Sequence, residues 1–170
     1  MIQVNDTALA DAHFPVMNVS FATEILSDEL APLAFPLIQA TCPNVDMTSW
    51  QKFVRFFNVR ASAGDGGVLA VRDAAACICG VLAYRVDRDL RTGPTLAVDL
   101  FTAADLANSL RPVRALLDAA EMWACKLGCV GVQIRISNDQ VRLASRLHTL
   151  GFSSEAGLYL KAIDTAPSPN

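Results

Sequence analysis

Between residues 93 and 129 a strand-like segment, Thr95-Leu-Ala-Val-Asp-Leu-Phe-Thr102, passes through a short loop into an amphipathic segment over 112–127. A strand, a loop and a helix N-terminus in that order can form a phosphate cradle. The unpaired N–H groups of a first helical turn and the helix dipole both favour an anion there.

The flanking segments show what this unit packs with. Apolar and polar residues roughly alternate over 16–25, which predicts a first strand. Ser27 with Asp28 offers an N-cap for a helix carrying Leu30, Leu33, Ala34, Leu37 and Ile38 on one side, and Pro36 should kink or shorten it. A second helix, capped by Thr48 or Ser49, places Trp50, Phe53, Val54 and Phe57 at i, i+3, i+4 and i+7. That spacing makes an aromatic core stripe. Gly64-Asp-Gly-Gly67 is a turn, and apolar runs over 68–71 and 77–86 flank a second turn at 72–75, a hairpin signature. A charged turn over 87–93 leads to the strand at 95–102. After the main helix, Val132, Ile134 and Ile136 alternate with Gly131, Gln133 and Arg135 as a half-buried strand over 130–137. A helix from Asn138 or Asp139 to Leu150 ends at Gly151, and 158–163 reads as a last strand. The order β, α, α, β, β, β, α, β, α, β predicts an α+β fold with a mixed sheet flanked by helices.

With 170 residues, one domain over 16–164 is expected, between unstructured segments at 1–15 and 165–170. No apolar run approaches the roughly 20 residues of a membrane-spanning helix, and residues 1–6 lack a basic signal-peptide start. A cytoplasmic protein is expected, with no membrane partner. Net charge is −3, without a run of lysine or arginine, which argues against nucleic acid. The five cysteines match no zinc or redox spacing, so they are expected to be buried free thiols, with Cys77 and Cys79 on one strand face; no metal is expected. The apolar excess over what one small core needs predicts a homodimer.

The sequence Arg114-Ala-Leu-Leu-Asp-Ala-Ala-Glu-Met-Trp-Ala-Cys-Lys-Leu-Gly-Cys129 resembles the coenzyme A-binding helix of the GNAT superfamily of N-acetyltransferases. Ala144-Ser-Arg-Leu-His-Thr-Leu-Gly-Phe152 resembles that family's helix ending in Leu-Gly-Phe before the final strand. The resemblance implies a GNAT-like fold, acetyl-CoA as co-substrate and an amine acceptor. It also implies a pyrophosphate loop, Q/R-x-x-G-x-G/A, which falls here on Asn108-Ser-Leu-Arg111-Pro-Val113. All three signature positions differ, and Pro112 has no N–H to donate. Either Arg111 and Arg114 replace the backbone amides with charged donors, aided by Ser109, or Arg111 is solvated, Pro112 opens the helix and Val113 packs inward. The cofactor-binding set implied by the resemblance is Phe101, Thr102, Ala103, Asn108, Ser109, Leu110, Arg111, Val113, Arg114 and Asn138.

Acetyl transfer to an amine needs a neutral amine, a stabilised oxyanion and a protonated leaving thiolate. The family's strand carboxylate, a base acting through water, corresponds to Asp99, which alternation points away from both Val98 and Leu100. An ordinary outer-face carboxylate is the alternative. Backbone amides of Phe101 to Ala103 would orient the acetyl group. Leu147 stands where the family's acidic tyrosine belongs, and the adjacent His148 lies about 100° around the helix. Tyr159 is the remaining candidate acid. The implied activity is an N-acetyltransferase acting on a primary amine of a small molecule or protein. The alternative is a GNAT-fold binding module or acyl-CoA sensor without turnover.

Overall fold

The computed structural model describes residues 21–91, 93–104, 111–136 and 141–154. They form two units, one ending at Ile134 and the other beginning at Arg135. The first contains β1 (Ala22–Ile25), α1 (Ala31–Thr41), α2 (Met47–Ser62), β2 (Gly66–Arg72), β3 (Ile78–Asp89), β4 (Gly93–Ala103), α3 (Arg111–Lys126) and β5 (Gly131–Ile134). Its sheet runs β1-β2-β3-β4-β5, antiparallel up to β4 and parallel between β4 and β5. The architecture is α+β with a mixed sheet.

Continuous burial of β2 from Gly66 to Val71 follows from packing on both faces. Val68, Ala70, Val81 and Ala83 meet Leu26, Ala31, Ala34, Ile38, Trp50, Val54 and Phe57 on the α1/α2 face. On the other face Gly80 lies under Leu116 of α3. There, too, Tyr84 is hydrogen-bonded to Trp123, while burial pushes its phenol pKa up.

Of the expected α2 stripe, Trp50, Val54 and Phe57 are buried and Phe53 is half-buried against them, and the Trp50 indole donates to Ala31 O at 2.7 Å. Its cap is Asp46, which accepts from Ser49 N at 2.6 Å, instead of Thr48 or Ser49. The first helix also differs. It starts at Ala31 after a turn in which Ala31 N donates to Ser27 O at 3.0 Å, and it buries Ala31, Ala34 and Ile38 while Leu33 stays exposed. Pro36 does not end it, because Pro36 withholds only the one N–H that would pair with Pro32 O.

In the second unit α4 (Val141–Thr149) ends with Gly151 at φ 90° and Phe152 N donating to Leu147 O at 3.0 Å, the expected glycine C-cap. Residues 16–20 of the first expected strand, and the whole of 158–163, lie outside the described residues.

The cysteines correct the sequence expectation. All five are free, but Cys77 and Cys125 are exposed, and only Cys79 is fully buried. Cys77 precedes β3. Arg72 opposes Ile78 while Val71 opposes Gly80, so Cys79 is the extra residue of a bulge and the two thiols share no regular strand face.

Candidate active site

β4 outruns its neighbour. It pairs with β5 from Thr95↔Gly131 to Val98↔Ile134, whereas its pairing with β3 continues to Ala103↔Gly80. From Asp99 to Ala103, therefore, no described strand lies on the β5 side. Ala104 N donates to Cys79 O at 2.8 Å, which turns that peptide toward β3. Backbone groups alternate along a strand, so the Thr102 N–H also faces β3 while the N–H groups of Phe101 and Ala103 face the side on which no described strand lies.

The Thr102 side chain is buried and tied to α1. Its hydroxyl lies 2.6 Å from Thr41 Oγ1, and Thr41 in turn donates to Leu37 O at 3.3 Å.

Asp99 sits on a second bulge. Tyr84 opposes Val98 and Ala83 opposes Leu100, leaving Asp99 as the extra residue on β4. Val98 shares the α3 face with Tyr84, while Leu100 packs into the α1/α2 core. Asp99 points away from Val98 but not from Leu100, which differs from simple alternation because the bulge puts two successive side chains on one face. Nor is Asp99 the lone carboxylate that its neighbours in sequence suggest. Arg85 Nη1 donates to both its oxygens at 2.8 Å, and Arg85 Nε and Nη2 donate to Asp87 at 2.7 and 2.9 Å. Hydrogen bonding to Asp87, with the nearby Asp99 charge, raises the Arg85 pKa above its ordinary value.

α3 is described from Arg111, and Pro112, at its second described position, has no N–H to donate. Pro112 and Val113 are buried, and Arg111 and Arg114 are exposed. Arg114 Nε lies 3.6 Å from Asp118 Oδ1, an exposed pair worth little. Of the two alternatives read in the sequence, the inward packing of Val113 is seen, and Arg111 and Arg114 stand exposed.

Asn108, Ser109, Leu110, Asn138 and Tyr159 lie outside the described residues. Leu147 is buried and His148 exposed on α4. Arg85, Asp87 and Thr41 escaped the sequence reading. The spacing of Arg85 and Asp87, two apart on one strand, was the available signal, but only the β3–β4 register brings them to Asp99. Among the described residues no cluster of three His, Cys, Asp or Glu could hold a metal. No described helix is long and apolar enough to cross a membrane.

The sequence matches no protein-family model and no curated protein. Solved structures do match. An aminoglycoside N-acetyltransferase in complex with CoA aligns with TM-score 0.72 at 10% identity, over 86% of this chain and 97% of that one. A ribosomal-protein-alanine N-acetyltransferase from Brucella melitensis gives 0.67 at 12% identity, over 85% and 99%. A GNAT family acetyltransferase from Staphylococcus aureus gives 0.66 at 13% identity, also over 85% and 99%. Parallel β4 and β5, the β4 edge that outlasts β5, and α3 between them in sequence belong to a chain with the GNAT acetyltransferase fold.

Proposed function

We propose that this chain is an acetyl-CoA-dependent N-acetyltransferase acting on a primary amine of a small molecule or protein. The observation that carries this reading is the β4 edge over 99–103, beside which no described strand lies and toward which the N–H groups of Phe101 and Ala103 point. Those two donors suit a thioester carbonyl that gains negative charge as the amine attacks. The N-terminal part of α3 supports pyrophosphate binding through the helix dipole and the side chains of Arg111 and Arg114, while Pro112 withholds an N–H.

In the transfer, the amine nitrogen bonds the acetyl carbon and the carbon–sulfur bond breaks. One proton leaves the nitrogen through a water on Asp99, and one reaches the departing thiolate, for which Tyr159 is the candidate donor. The similar structures act on an aminoglycoside and on a ribosomal protein's alanine. The acceptor class of this chain therefore stays at primary amine.

A second reading, a GNAT-fold binding module or acyl-CoA sensor, draws on the missing Pro112 N–H and the buried Val113. Titration calorimetry with acetyl-CoA separates the two. The enzyme reading expects micromolar affinity, about −8 kcal/mol, falling by a factor of about 10 or more in Arg111→Ala/Arg114→Ala, since a hydrogen bond to a charged group contributes about 1.5–3 kcal/mol. No binding at millimolar acetyl-CoA overturns the enzyme and sensor readings and leaves the module. Binding without turnover on any amine supports the sensor.

A further inference from the structure

We propose that Arg85 is a positioning residue for acetyl transfer, acting through Asp99, with Asp87 holding the guanidinium in plane. The inference rests on the acetyltransferase reading and deepens it.

A bulge residue has no partner across the ladder, so backbone pairing alone does not fix where its side chain points. Asp99 is such a residue, and it stands two positions before Phe101, the first of the outward-facing amides. Arg85 supplies a constraint that the ladder does not. Its Nε and Nη2 grip both oxygens of Asp87, two residues along the same strand, and this fork-to-fork contact sets the plane of the guanidinium. Nη1 then projects at Asp99 and meets both oxygens at 2.8 Å.

The Arg85 and Asp99 side chains are 26% and 20% exposed, so water screens this pair less than it screens a surface pair. Lysine cannot reproduce the arrangement. Its ammonium is a point donor that cannot grip Asp87 bidentately and also span Asp99. The carboxylate that takes the amine proton through a water is thereby aimed from a neighbouring strand, and a misplacement of about 1 Å at such a group can lower turnover on the order of 100-fold.

The test uses full-length wild type, Arg85→Gln, Arg85→Lys, Asp99→Asn and the Arg85→Gln/Asp99→Asn double variant. CoA thiol release is followed with acetyl-CoA and two probe amines, kanamycin and a peptide with an N-terminal alanine. Arg85→Gln should lower kcat on the order of 10- to 100-fold and leave acetyl-CoA affinity by calorimetry within about twofold, and Arg85→Lys should recover part of the loss. In the double variant kcat should equal that of Asp99→Asn alone, because Arg85 has nothing left to aim; a purely structural role would lower it further. Should Arg85→Gln melt below the assay temperature, the same comparison is made with Arg85→Lys alone and combined with Asp99→Asn.

Wild-type turnover with Arg85→Gln unchanged, or with multiplicative losses in the double variant, overturns the positioning role and leaves the acetyltransferase reading standing. A wild type that transfers acetyl to neither amine overturns both.

Discussion

Replacing Gly80 by alanine tests how tightly α3 is seated on the sheet. Gly80 has no positive φ, so alanine meets no backbone strain there. The obstacle is space. A Cβ at Gly80 would lie 2.9 Å from Leu116 Cδ1 and 3.0 Å from its Cγ. Carbon atoms rest about 3.5–4.0 Å apart, so both contacts are short by roughly 0.5–1 Å. Leu116 is fully buried and cannot swing into water. Either it leaves its rotamer, at about 0.5–1.5 kcal/mol, or α3 lifts from the sheet. Overpacking of this kind costs about 1–3 kcal/mol. The reduced entropy of the unfolded chain returns about 0.4–1 kcal/mol, so a net loss of about 1–2 kcal/mol should win. Urea unfolding followed by circular dichroism would measure it, and the melting temperature should fall about 2–4 °C per kcal/mol. Leu116→Ala alone should cost about 2–5 kcal/mol, but in the double variant the new methyl occupies vacated space. The two losses should then sum to about 1 kcal/mol more than the double variant shows. A neutral Gly80→Ala, or strict additivity, would refute the close-approach argument.

Thr102→Val keeps the side-chain shape and removes the hydrogen bond to Thr41, so it should destabilise by about 1 kcal/mol, read as a lower urea midpoint. Asp46 caps α2, and its pKa lies below the ordinary 3.8 chiefly because Ser49 N donates to it. The cap therefore stabilises fully above the unfolded value near pH 4 and is lost as pH falls through the lower folded value. Melting temperatures of wild type and Asp46→Ala should converge on acidification through that window, and a constant gap would contradict the assignment. With a thiol reagent, Cys77 and Cys125 should react at once, whereas Cys79, buried and with its thiol pKa raised by desolvation, should wait for unfolding. Fast labelling of Cys79, mapped by mass spectrometry, would contradict its burial.

Strong periodicity was enough for the parts of the fold that have it. The stripe Trp50, Val54 and Phe57 sits in the core because three residues at helical spacing leave little choice of face. Competing local signals defeated the finer reading. Asp46, Thr48 and Ser49 are all capping residues within four positions, and the cap went to the one whose oxygen reaches the N–H three residues on. Both bulges were invisible for a related reason. Val98-Asp99-Leu100 has the same apolar–polar alternation with or without a slipped pairing, and the slip is decided by β3, whose register no local pattern records. Within the candidate site the strand β4 and the helix α3 were legible, and Arg111 and Arg114 stand exposed on α3. Arg85 was out of reach because its contact with Asp99 exists only across two strands.

Every residue except proline carries a peptide N–H, so the outward pair at Phe101 and Ala103 leaves no signature in the identities of the side chains that bear it. A chain with such an edge can therefore share only 10–16% identity with structures of the same shape and match no family model. What limits such drift is proline at either position, or bulk that covers the strand. Letters erode while the peptide scaffold persists, and resemblance of this kind survives longer in backbone geometry than in any alignment.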